Sequence, residues 1–250
     1  MRARRAPSDG AALFSVLMAR AEGKSSWLTL QLLLDSALPI GNFSHSYGLE
    51  TLVQEGAIRS GRDLWEFMAG MLRFNWSTTD AMVIKAVYLC QGDCDLEYAY
   101  DVERLVHYQR LGEESREGIE RTGRRLLRLA TALWPDLPLE GLTSALREGR
   151  SLGTYPLVFG VVCRAHGVPL DRAAEGYLYA SASNCVNSAL RLMSLGQSEA
   201  QRLLAASFSV VEQAWSSVRE MEPEEAYSSM PLAEMSMIGH KSLYSRLFMS

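Results

Sequence analysis

The chain has 250 residues, 48% of them hydrophobic and 22% charged, with a formal net charge of -4 at pH 7. That length and apolar content suffice for one domain with a full core, and the acidic balance argues against a surface built for nucleic-acid phosphates or anionic lipid. Four scattered cysteines (Cys90, Cys94, Cys163, Cys185) make no disulfide framework, and no apolar run reaches the roughly 20 residues that span a bilayer, so a cytoplasmic, non-membrane protein is expected.

At the amino terminus Arg2, Arg4 and Arg5 precede an apolar stretch over 11–19, and Ala19 and Ala21 mimic a signal-peptidase site. Arg20 and Glu22 crowd that site, so residues 1–26 read as a flexible extension, with Met18 as an alternative start. Downstream, apolar residues recur at three and four rather than two, and no Asn-Gly or Asp-Gly turn occurs; an all-α, single-domain bundle of about nine or ten helices over 27–222 follows. The first helix spans 26–36, with Leu28, Leu32 and Asp35 on one buried face, and Pro39 ends it. A second spans 45–55 and stops at Gly56.

Helices over 62–75 and 78–90 form a pair, the latter with Met82, Lys85, Ala86 and Leu89 on one side and a closing turn at Gln91-Gly92-Asp93. Next come 96–111 and 118–134, with Leu126, Leu129, Ala130 and Leu133 inward and Arg121, Arg124, Arg125 and Arg128 outward; the charged stretch 113–128 reads as a solvated face. Pro135 and Pro138 break the chain. Helices over 155–166, 171–195 and 199–220 complete the bundle, and 223–250 forms a tail. The stripe Leu178, Ala182, Cys185, Val186, Ala189 and Leu192, set among small residues, marks the 171–195 helix as central.

Chemical motifs are weak. Gly23-Lys24-Ser25 lacks the glycine and the strand that precede a phosphate-binding loop, and Ser44-His45-Ser46 lacks an orienting carboxylate and a nucleophile elbow. His45, His107, His166 and His240 are widely spaced, and Cys90 and Cys94, despite Asp93 and Asp95, read as small buried residues. No catalytic, cofactor-binding or metal-ligating residue is assigned.

The run Leu38-Pro39-Ile40-Gly41-Asn42-Phe43-Ser44-His45-Ser46-Tyr47-Gly48-Leu49-Glu50 resembles the hallmark of the UreF family of urease accessory proteins, L-P-x-G-x-F-S-x-S-x-G-L-E. In it Pro39 and Gly41 make a rigid turn, Phe43 is placed to anchor the core and Ser44 to cap the helix carrying Glu50. Gly153-Thr154-Tyr155-Pro156, Tyr177-Leu178-Tyr179 with Ala189 to Gln197, and Tyr244-Ser245-Arg246-Leu247-Phe248 are similar to the family in the same order. The chain departs from it at Thr154, where a histidine is frequent, and at Gly239 and Lys241, where an arginine and an acid are usual.

The resemblance implies a UreF-like helical fold and a non-enzymatic role as a maturation chaperone. Such a factor binds UreD (UreH), recruits the GTPase UreG and docks on apo-urease for nickel insertion and metallocentre assembly, as a dimer within the complex. GTP and nickel then belong chiefly to the partners. It also nominates Tyr47, Glu50, Tyr244, Arg246, Leu247 and Phe248 as partner-binding residues. Two states of the tail are open: ordering against UreD, or docking onto the bundle of its own chain. A helical enzyme with a dispersed active site, and an arginine supplied to UreG from among Arg59, Arg73 and many others, are the alternatives.

Overall fold

Wherever apolar side chains recur at three and four residues the backbone is helical. The computed structural model describes residues 26–90 and 96–249; the amino-terminal extension, the Gly23-Lys24-Ser25 sequence, the 91–93 turn and Cys94 lie outside the described residues. Among the described residues there are eleven α-helices and no strand. They are α1 (Ser26–Leu34), α2 (Leu49–Gln54), α3 (Gly61–Met71), α4 (Asp80–Leu89), α5 (Glu97–Gln109), α6 (Glu113–Leu133), α7 (Glu140–Arg147), α8 (Tyr155–Ala165), α9 (Leu170–Leu192), α10 (Gln197–Val218) and α11 (Pro231–Gly239). A π-turn, Leu72–Trp76, continues α3, and short 3-10 turns lie at Asn42–Ser44, Pro223–Glu225 and His240–Ser242.

The predicted all-α single domain is therefore observed, and α9 runs through its middle against α1, α2, α3, α4, α8 and α10. Its small side chains permit this. A Cβ on Gly176 would come within 3.2 Å of Leu34, and Leu178, Ala182, Cys185, Val186 and Ala189 are buried. Helix α4 is enclosed nearly all round, from Asp80 to Val87. Its Lys85 is accommodated because the amine donates to the carbonyls of Arg219 and Met221, at 2.8 and 2.7 Å, which follow the last turn of α10 and lack helical partners.

Local chemistry explains other joints. Ser60 and Asp63 form a reciprocal capping box at the start of α3, each side chain accepting from the other's amide. The buried carboxylate of Glu103 accepts from the Ser151 hydroxyl (2.9 Å) and from the Leu152 and Thr154 amides (2.9 and 2.6 Å), which fixes the loop before α8. Helix α6 crosses that loop so closely that a Cβ on Gly123 would lie 2.1 Å from the Gly153 carbonyl oxygen.

Several expectations are corrected. Leu28 and Leu32 are exposed, and α1 buries the opposite face, Thr29, Leu30 and Leu33. Phe43 is also exposed; Leu38 and Ile40 anchor the hallmark turn in the core instead. Ser44 caps no helix, since its hydroxyl donates to the Gly41 carbonyl at 2.6 Å, while Ser46 accepts weakly from the Glu50 amide at 3.4 Å. The second helix begins at Leu49 rather than near residue 45 because Tyr47 and Gly48, at φ 57° and 82°, are left-handed. Leu89 and Leu133, the last residues of α4 and α6, face outward. Helices α7 and α11 are additional to those predicted: the prolines that end one helix also begin these segments.

Candidate partner-binding site

The hallmark run and the carboxyl-terminal segment, almost two hundred residues apart, meet on α2 and the first turns of α6. The hallmark turn is held by Asn184 of α9, whose amide donates to the His45 carbonyl at 2.8 Å, and by Arg125, which lies over Gly41. Tyr47 packs edge-on against the buried Trp76, with ring centroids 5.1 Å apart. Burial, reinforced by the charge of Asp80, pushes its phenol well above the ordinary tyrosine value. Behind it Asp80 is paired with Arg110 and accepts from the Tyr177 hydroxyl at 2.9 Å. A cavity of about 30 Å³ remains between these groups, Asn42 and His45, room for water rather than for an organic ligand.

Helix α11 closes over this region by burying Ala233, Glu234, Ser236 and Met237. Gly48 is needed there twice over: its φ of 82° is left-handed, and a Cβ would lie 2.9 Å from the Ala233 carbonyl oxygen. Thr51 donates to the Ser236 carbonyl (2.9 Å), and Glu234 accepts from the Leu111 amide (3.0 Å). Beyond α11 the fully buried His240 lies between two carboxylates, Nε2 at 2.9 Å from Glu50 and Nδ1 at 3.0 Å from Glu114. Glu50 also accepts from the Leu247 and Phe248 amides at 2.7 and 3.1 Å. Arg246 pairs with Glu114 at 2.8 Å and Lys241 pairs with Glu113. Burial alone would raise the Glu114 carboxyl, but the bonds from His240 and Arg246 outweigh it and hold it below its ordinary value.

The tail is thus docked on its own bundle. Phe248 is buried beneath the Arg191 guanidinium, 4.7 Å from the ring centroid, and the Met249 amide donates to the Ser44 carbonyl at 2.8 Å. The six nominated residues divide accordingly. Glu50, Arg246 and Phe248 hold the tail in place. Tyr47 is half-buried in the neighbouring Asp80 cluster, so Tyr47 and Glu50 offer a partner little surface. Tyr244 is wholly exposed at the outer bend of the segment, and Leu247 is 56% exposed. Unanticipated from sequence are Glu114 and His240, together with an outward stripe on α11, Leu232, Met235 and Ile238, exposed by 58%, 67% and 49%. Their three-residue spacing was the available signal, hidden by two prolines that suggested an irregular tail.

A second apolar surface lies along α1, α9 and α10. Trp27 and Leu32 of α1, Tyr179 of α9 and Phe208 of α10 border an open groove, and Leu28 adds exposed area beside it. Among the described residues no group of three His, Cys, Asp or Glu side chains is arranged to hold a metal ion, and no helix is long and apolar enough to cross a membrane.

Comparison with known proteins places this architecture. The UreF family model matches residues 58–208. Urease accessory protein UreF of Arthrobacter sp. (strain FB24) is 32% identical over 223 residues, which cover 89% of this chain and 96% of the relative. The Trichodesmium erythraeum protein of the same name is 30% identical over 224 residues, 90% of this chain and 97% of the relative. That from Lachnoclostridium phytofermentans is 29% identical over 223 residues, 89% and 98% respectively. With the family model matching more than half of the chain, the central helix included, and relatives of 30% and 32% identity covering about nine-tenths of it, the chain belongs to the UreF family of urease accessory proteins.

Proposed function

We propose that this protein is a non-catalytic adaptor of urease maturation: it binds UreD (UreH), and the pair recruits the GTPase UreG to apo-urease for GTP-dependent nickel insertion. The observation that carries this reading is the carboxyl-terminal segment, where Tyr244 and Leu247 stand exposed on a loop whose neighbours are pinned to Glu50 and Glu114. Uncovered aromatic and aliphatic side chains on a backbone held by buried hydrogen bonds suit a protein partner, because little ordering entropy is lost on binding. The α11 stripe extends the same apolar character toward the bundle.

Nickel and GTP are substrates of the assembly in this scheme, and UreG supplies the nucleotide site. The groove bordered by Trp27, Tyr179 and Phe208 suits the homodimer contact, being an open concavity flanked by exposed aromatic and aliphatic side chains. Both assignments are tested by one experiment. The full-length protein is co-purified with UreD, and UreG with GTP is then added, beside a chain truncated before Tyr244 and a Trp27→Asp variant. Loss of UreD on truncation, and loss of the dimer alone in the Trp27 variant, are expected. A folded full-length chain that retains neither UreD nor UreG would overturn the adaptor role.

A further inference from the structure

The environment of His240 has a stoichiometry that goes beyond partner binding. Each ring nitrogen is within hydrogen-bond distance of a carboxylate oxygen that carries no hydrogen when ionised, so both contacts are satisfied only when both nitrogens are protonated. A neutral ring can donate to one carboxylate, and its remaining lone pair then faces the other. With the imidazolium, the four charges of Glu50, Glu114, His240 and Arg246 balance to zero. Without that proton the ring keeps one N–H: on Nε2 it serves Glu50 and the Nδ1 lone pair faces Glu114, and on Nδ1 the Nε2 lone pair faces Glu50, a fully buried carboxylate then left with backbone amides alone.

We propose that Glu50, His240 and Glu114 form a proton-requiring clasp that closes the carboxyl-terminal segment on the bundle, and that loss of the His240 proton frees residues 240–249 as a unit. The charged groups around the ring are accounted for. From α2 it meets Glu50, and from α6 it meets Glu114, while Glu113, Glu117 and Arg116 of α6 act on the adjoining Lys241–Glu113 pair. Arg246 of the tail is engaged by Glu114, and Glu234 of α11 by the Leu111 amide. The segment opens as a unit because Glu50 binds both of its ends, His240 at the start and Leu247 and Phe248 at the finish. The clasp stands independently of which protein meets the exposed tail.

The test is amide hydrogen exchange of Leu247 and Phe248 in the full-length protein at about pH 6 and about pH 9, corrected for the intrinsic rate and compared with core amides of α9. Protection at the two tail amides falls about tenfold or more at the higher pH, the weight of one buried charge-assisted bond, while α9 is unchanged. His45 on the hallmark turn and His107 on α5 gain protons on acidification and act with the opposite sign. Glu114→Gln, at the rim of the cluster, supplies an amide that donates to the Nδ1 lone pair of a neutral ring and keeps the tail protected at the higher pH, and His240→Gln abolishes the pH dependence. Equal tail protection at both pH values, or a Glu114→Gln protein that opens where the wild type does, overturns the clasp.

Discussion

Acidification from pH 7 to pH 5 destabilises this fold, and most of the loss traces to His45 and His107. Burial is the main cause of both depressed values, about 4 against an ordinary 6.5, with Arg121 and Arg125 adding to it at His45 and Arg110 and Arg116 at His107. A histidine with a depressed native value takes up a proton on unfolding. Its contribution is therefore complete above about pH 6.5 and is lost as the pH falls toward 4. For native and unfolded values of about 4 and 6.5, linkage gives a loss of about 2 kcal/mol per histidine between pH 7 and pH 5. His107 falls short of that, because its Nε2 lies 3.3 Å from Glu120, which becomes an ion-pair partner once the ring is charged. The His45 ring packs against Gly118. Urea unfolding at the two pH values measures the effect: the wild type loses about 3 kcal/mol, and His45→Gln about 2 kcal/mol less than that. A pH-independent stability, or an unchanged loss in His45→Gln, would refute the reasoning.

Three further substitutions test the packing. Lys85→Met strands the Arg219 and Met221 carbonyls and costs about 2 kcal/mol in denaturant midpoint analysis, without loss of helix by circular dichroism. Gly48→Ala sets a Cβ 2.9 Å from the Ala233 carbonyl in a left-handed residue, and increases exchange across α11 and the tail about tenfold or more. Thr154→Val replaces a buried hydroxyl that has no partner among the described residues, and it leaves stability unchanged or raises it by up to about 1 kcal/mol in thermal unfolding.

The helical bundle was legible because its evidence is local. The apolar stripe of α9 and the small residues around it state both the helix and its central position, and Gly56 and Gly167 end helices in the left-handed conformation that their residue type permits. The faces of α1 were not legible, since Leu28, Leu30, Leu32, Leu33 and Leu34 supply apolar groups all round a single short helix, and only contacts with α8 and α9 select Leu30 and Leu33. The same holds for Phe43, which fits a core anchor by type yet lies outside a turn already anchored by Leu38 and Ile40.

The site divides in the same way. Tyr244 and Phe248 could be singled out from the tail alone, but not that one projects while the other is buried under Arg191. Glu50, His240 and Glu114 are separated by 190 and 126 residues in two of their pairings, and no periodicity links them. The dense charge of 113–128, expected to face solvent, instead supplies Glu113 and Glu114 as the receiving groups for Lys241, Arg246 and His240.

The most direct test of the adaptor role is the dissociation constant for UreD of Tyr244→Ala beside the wild type, with exchange at Leu247 and Phe248 confirming that both tails remain docked. Removal of a projecting hot-spot tyrosine weakens binding about thirtyfold, equivalent to about 2 kcal/mol, with no change in tail protection. An unchanged dissociation constant in a variant with an intact tail contradicts the assignment of this segment as the partner-binding surface.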